Sequence, residues 1–373
     1  LVRILLVAGA DVNAPPSNHG GYNYTALQGA AKSGNTELVR ILLVAGADIN
    51  APPGEHGHTA LQAAVIDGNI KLVEILLNAG AEVHAPPGLY GRMALQAAAE
   101  HENIKLVHIL LDAGADVNAP PTGLGDRYTA LQAAAKTGNI KLVQLLLDAG
   151  ADVNAPPGLY GCTALQAAVM SGNIELVEIL LNAGAEVNAP PSQTYGITAI
   201  QAAAIRGHIR VAQLLLSAGA DVNAAPATVQ GRTALEGAAE HGRIDLLQLL
   251  IDAGADTNSS QYIRALKLAA TNGHDAVCGL LNRSRKGDWI SPAEARQMEV
   301  REDQFSVWDE QHDSDYQPSE GSLSDEDTED ERDSLVEYGV GSSPDDAMEF
   351  SGFDGMARGH QEPSHLQVYG YPF

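Results

Sequence analysis

Cysteine is nearly missing from this chain: Cys162 and Cys278 are the only two, and they stand far apart in 373 residues. A secreted disulfide framework needs more of them at closer spacing. Both are therefore read as small packing residues, and a reducing, intracellular setting, cytoplasmic or nuclear, is expected. No apolar run approaches the ~18 residues that cross a bilayer, so no membrane insertion is expected. Basic side chains are scarce, 22 Lys and Arg against 47 Asp and Glu. Binding to phosphate backbones draws on Lys and Arg, so direct nucleic-acid binding is not expected. No glycine-rich stretch follows a strand and opens a helix, which leaves no phosphate loop. The one metal-like string, Glu55-His56-Gly57-His58, occurs once and in a variable loop. Zinc takes about three or four ligands with supporting partners. No convergent set of polar groups suggests chemistry. No enzyme activity, metal or cofactor is expected.

The acidity is unevenly placed. Residues 1–287 hold 24 acidic and 18 basic side chains, whereas residues 288–373 hold 23 and 4. A block of the second kind repels itself and buries too little apolar surface to offset ordering entropy. Residues 302–373 are expected to be a disordered acidic tail.

What the chain does contain is a beat. Gly-Ala-Asp/Glu-Val/Ile-Asn/His-Ala starts at Gly9, Gly46, Gly80, Gly114, Gly150, Gly184 and Gly219, and degrades at Gly254. Thr-Ala-Leu-Gln or a variant keeps the same step at Thr25, Thr59, Met93, Thr129, Thr163, Thr198, Thr233 and Arg264. A fixed period of this size signals stacked repeats, each packing on its neighbours.

One unit, Thr129 to Cys162, shows the logic. Thr129 suits a helix N-cap, and Ala130 to Ala135 are small, strong helix formers that let a neighbouring helix come close. Gly138 ends the helix in the left-handed conformation that glycine adopts most easily. Asn139 caps a second helix with an apolar stripe from Ile140 to Leu147, ended by Gly150. Residues 151–161 form a turn-rich finger. Pro156 and Pro157 donate no backbone hydrogen bond, so at most a short β-bridge is expected. The repeated asparagines, Asn13 through Asn258, are read as satisfying backbone groups in tight loops.

Helix, turn, helix and finger at this period resemble the ankyrin repeat. The resemblance rests on Thr-Ala-Leu-Gln, the glycine-ended first helix, the Leu-rich second helix and Gly-Ala-Asp-Val-Asn, and covers about three quarters of the chain. It implies an all-α solenoid whose function is to bind a protein partner. The departures are regular: Ala for the family's Pro, and Gln for its His at Gln28, Gln62, Gln96, Gln132, Gln166 and Gln201. Glutamine donates and accepts as neutral histidine does, and is expected to take over the bonds that histidine makes between repeats. The Ala-Pro-Pro fingers resemble arrays of filamentous fungi that end large proteins similar to NOD-like receptors.

The resemblance also places the partner surface on the concave face and the finger tips. The two residues before the glycine of the first helix form a column there. Candidates are Ile66, Asp67, Glu100, His101, Lys136, Met170, Ile205 and Arg206, with Tyr90, Tyr160 and Tyr195 on the fingers. Each tyrosine has a second reading, that it covers its own Pro-Pro.

The expected organisation is a partial unit at 1–24, eight repeats at 25–287, a short helix or linker at 288–301 and the tail. Leu1 to Val7 reads as a second helix lacking its first, so Leu1 is not expected to be a natural start. Ser291-Pro292-Ala293-Glu294 is a capping box opening a helix to about Arg301, with Trp289 or Ile290 docking on the last repeat. A non-catalytic interaction module is the first functional reading. The sensor end of a multidomain signalling ATPase and an acidic-tailed transcriptional regulator are the alternatives.

Overall fold

Six of the eight first helices described start from a reciprocal pair. In the computed structural model the Thr25 hydroxyl accepts from the Gln28 N–H, and Gln28 Oε1 accepts from the Thr25 N–H. The same box recurs at Thr59, Thr129, Thr163, Thr198 and Thr233. The structure describes residues 1–15, 24–54, 57–88, 92–121, 128–158, 161–191, 196–227, 231–257, 259–285 and 287–298.

Among these residues, α1 (Val2–Val7) is followed by eight helix pairs: α2 and α3 (Ala26–Lys32, Thr36–Val44), α4 and α5 (Ala60–Ile66, Ile70–Asn78), α6 and α7 (Ala94–Glu100, Ile104–Asp112), and α8 and α9 (Ala130–Thr137, Ile140–Asp148). They continue with α10 and α11 (Ala164–Ser171, Ile174–Asn182), α12 and α13 (Ala199–Arg206, Ile209–Ser217), α14 and α15 (Ala234–Glu240, Ile244–Asp252), and α16 and α17 (Ser260–Thr271, Asp275–Ser284). α18 (Pro292–Gln297) follows. Among the described residues there is no strand, so the fingers form no β-bridge there, and no helix is long and apolar enough to cross a membrane.

First helices touch their successors along their length, whereas second helices meet more sparingly. The side chains explain this. In α8, Ala130 through Ala135 are all buried, and alanine leaves room for a neighbour on either side. In α9 only Leu142, Val143 and Leu146 are fully buried, facing the first helices. Burying each such side chain contributes roughly 1.5–3 kcal/mol. The core is one line of Ala, Leu and Val running through every pair.

Two polar ladders run beside it. Gln Nε2 donates to finger carbonyls 23 or 24 residues on, as in Gln132 to Ala155 O at 2.7 Å and Gln201 to Ala224 O at 3.0 Å. All six glutamines do so, each reaching from its first helix to the finger that closes its own unit, where bonds between repeats were expected. The asparagines reach further than the sequence reading placed them. Asn118 Nδ2 donates to Gly150 O, and Asn118 Oδ1 accepts from the Asp152 N–H, in the next repeat. Asn13, Asn50, Asn154, Asn188 and Asn223 bridge likewise. His84 stands in the series and makes no such bridge among the described residues.

The third pair collects further departures. Met93 offers no cap bond, and Oε1 of buried Gln96 finds no partner. Glu102 replaces the glycine and holds φ 55°, the one non-glycine residue described in the left-handed region. Its carboxylate gains a use there: Asn139 Nδ2 donates to Glu102 Oε2 at 3.0 Å.

The two ends differ. In α1 no residue is buried, and Leu1, Ile4 and Val7 are exposed. At the other end α18 lies on α16, with Ala295 buried and Arg296 Nε donating to Ala270 O. Asn282 brackets Ile290, accepting from its N–H and donating to its carbonyl. Ile290 packs on the core while Trp289 stays 61% exposed, so of the two expected docking residues it is Ile290 that docks. α18 stops at Gln297, short of the expected Arg301, and the acidic tail lies outside the described residues.

Candidate functional site

The chain enters each first helix in an extended conformation, as at Thr129, φ −68°, ψ 168°. In four of the pairs the residue just before the cap meets the residue eight positions on. Arg92 Nε lies 3.0 Å from Glu100 Oε2, and Arg232 Nε 2.9 Å from Glu240 Oε2. Lys32 Nζ sits 4.6 Å from the Tyr24 ring centroid, and Lys136 Nζ 4.7 Å from that of Tyr128. The same two positions hold His58 and Ile66, Cys162 and Met170, and Ile197 and Ile205 in the remaining pairs of this series. Neighbouring repeats are in electrostatic reach of one another. Burial chiefly, then Lys32 and Arg92 on either side, hold the His58 imidazole below its usual pKa.

The sequence-predicted column is therefore one half of a double column. Asp67, His101, Lys136 and Arg206 are exposed. Glu100 is tied to Arg92. Ile66, Met170 and Ile205 are half-buried, and Ile66 and Met170 pack on the core. Ile205 leans on the next repeat: a Cβ on Gly237 would fall 2.6 Å from its Cγ1. These three are thus partly scaffold, where the sequence placed them simply on a surface. Ser33, Thr137 and Ser171, beside them, spend their hydroxyls on carbonyls three residues back. The finger residues Tyr90, Tyr160 and Tyr195 lie outside the described residues, as do Glu55 and His56.

Sequence reasoning missed the partners that precede the caps. A signal was present: Arg stands eight residues before Glu in two units, Arg92 with Glu100 and Arg232 with Glu240. It also missed Glu236, whose carboxyl is fully buried. Glu236 Oε2 accepts from the Thr233 N–H, as glutamine does elsewhere, but Oε1 has no hydrogen bond, and Arg264 Nε is 3.8 Å away. Burial raises its pKa, opposed by the Thr233 bond and by Arg264 and Arg232, with Glu240 adding to the rise.

Chemically the surface offers contacts. Burial lifts the Cys162 thiol to about 11, against the pull of Lys136, so it stays protonated at neutral pH. Among the described residues no three His, Cys, Asp or Glu side chains group to hold a metal. A family model described as ankyrin repeats, in three copies, matches residues 1–87, 55–121, 95–191 and 189–261. No curated protein matches the chain.

Proposed function

This chain belongs to the ankyrin repeat family, and on that premise we propose that its double column is a binding face for a protein partner, working without chemistry. Repeats of this family are generally protein–protein interaction modules and generally non-catalytic. One observation carries the reading. The capping boxes and the glutamine and asparagine ladders repeat nearly unchanged, so the fold is served by a fixed set of positions. The column varies in chemistry along the array, with cations on rings, ion pairs and apolar pairs at different repeats. Residues that the scaffold leaves free are those that recognition can use. Few of them need dominate, because binding energy concentrates in a small desolvated group.

The test is a randomised displayed-peptide library panned against the full chain. Enriched peptides are then measured on a variant in which Asp67, His101, Lys136 and Arg206 are all replaced by serine. These four are exposed, so the fold should persist. The reading expects binding to weaken by about tenfold or more. Equal binding to the variant, or loss of binding only when residues 302–373 are removed, would move the function off the column.

A further inference from the structure

Resting on that reading, we propose that the column of the fourth to sixth helix pairs takes an acidic peptide segment carrying an aliphatic or aromatic side chain at its centre. The argument starts with charge. Glu100 and Glu240, one repeat to either side of these pairs, are held by Arg92 and Arg232. Between them the column reads Tyr128, Lys136 and Thr137, then Cys162, Met170 and Ser171, then Ile197, Ile205 and Arg206. It contains two cations and no carboxylate. Arg243 adds a third, its guanidinium lying over Gly207 beside Arg206: a Cβ there would come 2.8 Å from Arg243 Nε. No carboxylate among the described residues lies in ion-pairing distance of Lys136, Arg206 or Arg243. The whole chain has a net charge of −25, so an all-cationic stretch of surface runs against its composition.

The middle of that stretch is apolar. Cys162, Met170, Ile197 and Ile205 are half-buried in two successive repeats. Gly237 keeps Ile205 where it is, since a methyl group there would push it away. An apolar floor between cations matches a segment with apolar residues between acids. The acids supply long-range attraction and register, and the apolar residue supplies the desolvated contact. A basic segment would be repelled by the same three cations.

Fluorescence anisotropy on the full chain tests this with three labelled heptapeptides. The probe is Glu-Asp-Leu-Phe-Leu-Asp-Glu. Its controls are Lys-Arg-Leu-Phe-Leu-Arg-Lys and Glu-Asp-Ser-Asn-Ser-Asp-Glu. The probe should bind about tenfold or more tighter than either control. Raising salt from about 50 to about 500 mM should weaken it. Arg206→Glu and Lys136→Glu, both at exposed positions, should each raise Kd by about tenfold while the melting temperature holds. A basic peptide that binds as well, or a probe indifferent to both reversals, overturns the proposal. The library selection separates the two levels. Enriched peptides of other chemistry that still fail on the fourfold serine variant leave the binding face standing and sink the acidic partner. Enriched peptides that ignore that variant, or no enrichment at all, sink both.

Discussion

Replacing Glu236 by glutamine should stabilise the C-terminal end of the array at neutral pH and leave it unchanged in acid. At six joints a glutamine caps its helix with Oε1 or lies in the capping position, and donates through Nε2 to the following finger, at 2.7 Å from Gln132 to Ala155 O. At the seventh, Glu236 keeps the cap bond to Thr233 but has no donor when ionised. Its Oε1 is buried without a hydrogen bond. A buried acceptor left unmade costs about 1–3 kcal/mol. Arg264, 3.8 Å away and 32% exposed, recovers part of that. Glu236→Gln would retain the cap, remove the charge and restore the donor, for a net gain of about 1–2 kcal/mol. The pH dependence follows from the raised pKa, caused first by burial. Below the unfolded carboxyl pKa, about 4.3, both states are protonated and Glu236 carries no ionisation penalty. As pH rises through the folded pKa the penalty grows to its full value, so the gain from the substitution appears there and stays. Urea melts of both proteins at about pH 4 and pH 7, followed on the C-terminal transition, provide the readout. A gain of equal size at both pH values, or none at pH 7, would refute the buried-charge account.

Four further outcomes are expected. Met93→Thr should add about 1 kcal/mol by completing the missing cap, visible as a raised melting temperature, whereas Glu102→Gly should give less than the roughly 1 kcal/mol of left-handed strain it relieves, because Asn139 loses its acceptor. Gly237→Ala should destabilise by about 1–3 kcal/mol through its clash with Ile205, and Ile205→Ala in the same chain should recover most of the clash; additive losses in the double variant would show that the two residues do not share space. Hydrogen exchange should find residues 2–7 far less protected than residues 140–148, since α1 buries nothing and α9 buries three large side chains; equal protection in a monomer would contradict this.

Whatever acts within about four residues was legible in the chain alone. Thr before Ala-Leu-Gln specifies a capping box, Gly138 and Gly150 mark left-handed helix ends, and Glu102 announces strain, because each depends on the backbone a turn away. The eight helix pairs follow from the same local grammar repeated. Stacking decided the rest. That Asn118 serves the next repeat, that Arg92 spends itself on Glu100, that Ile205 needs Gly237, and that Glu236 lost a donor are facts about side chains 8 to 34 residues apart. Spacing in the sequence names the candidates for such contacts. Only the distance at which one repeat settles on another, set by how closely the alanine helices approach, determines which of them touch.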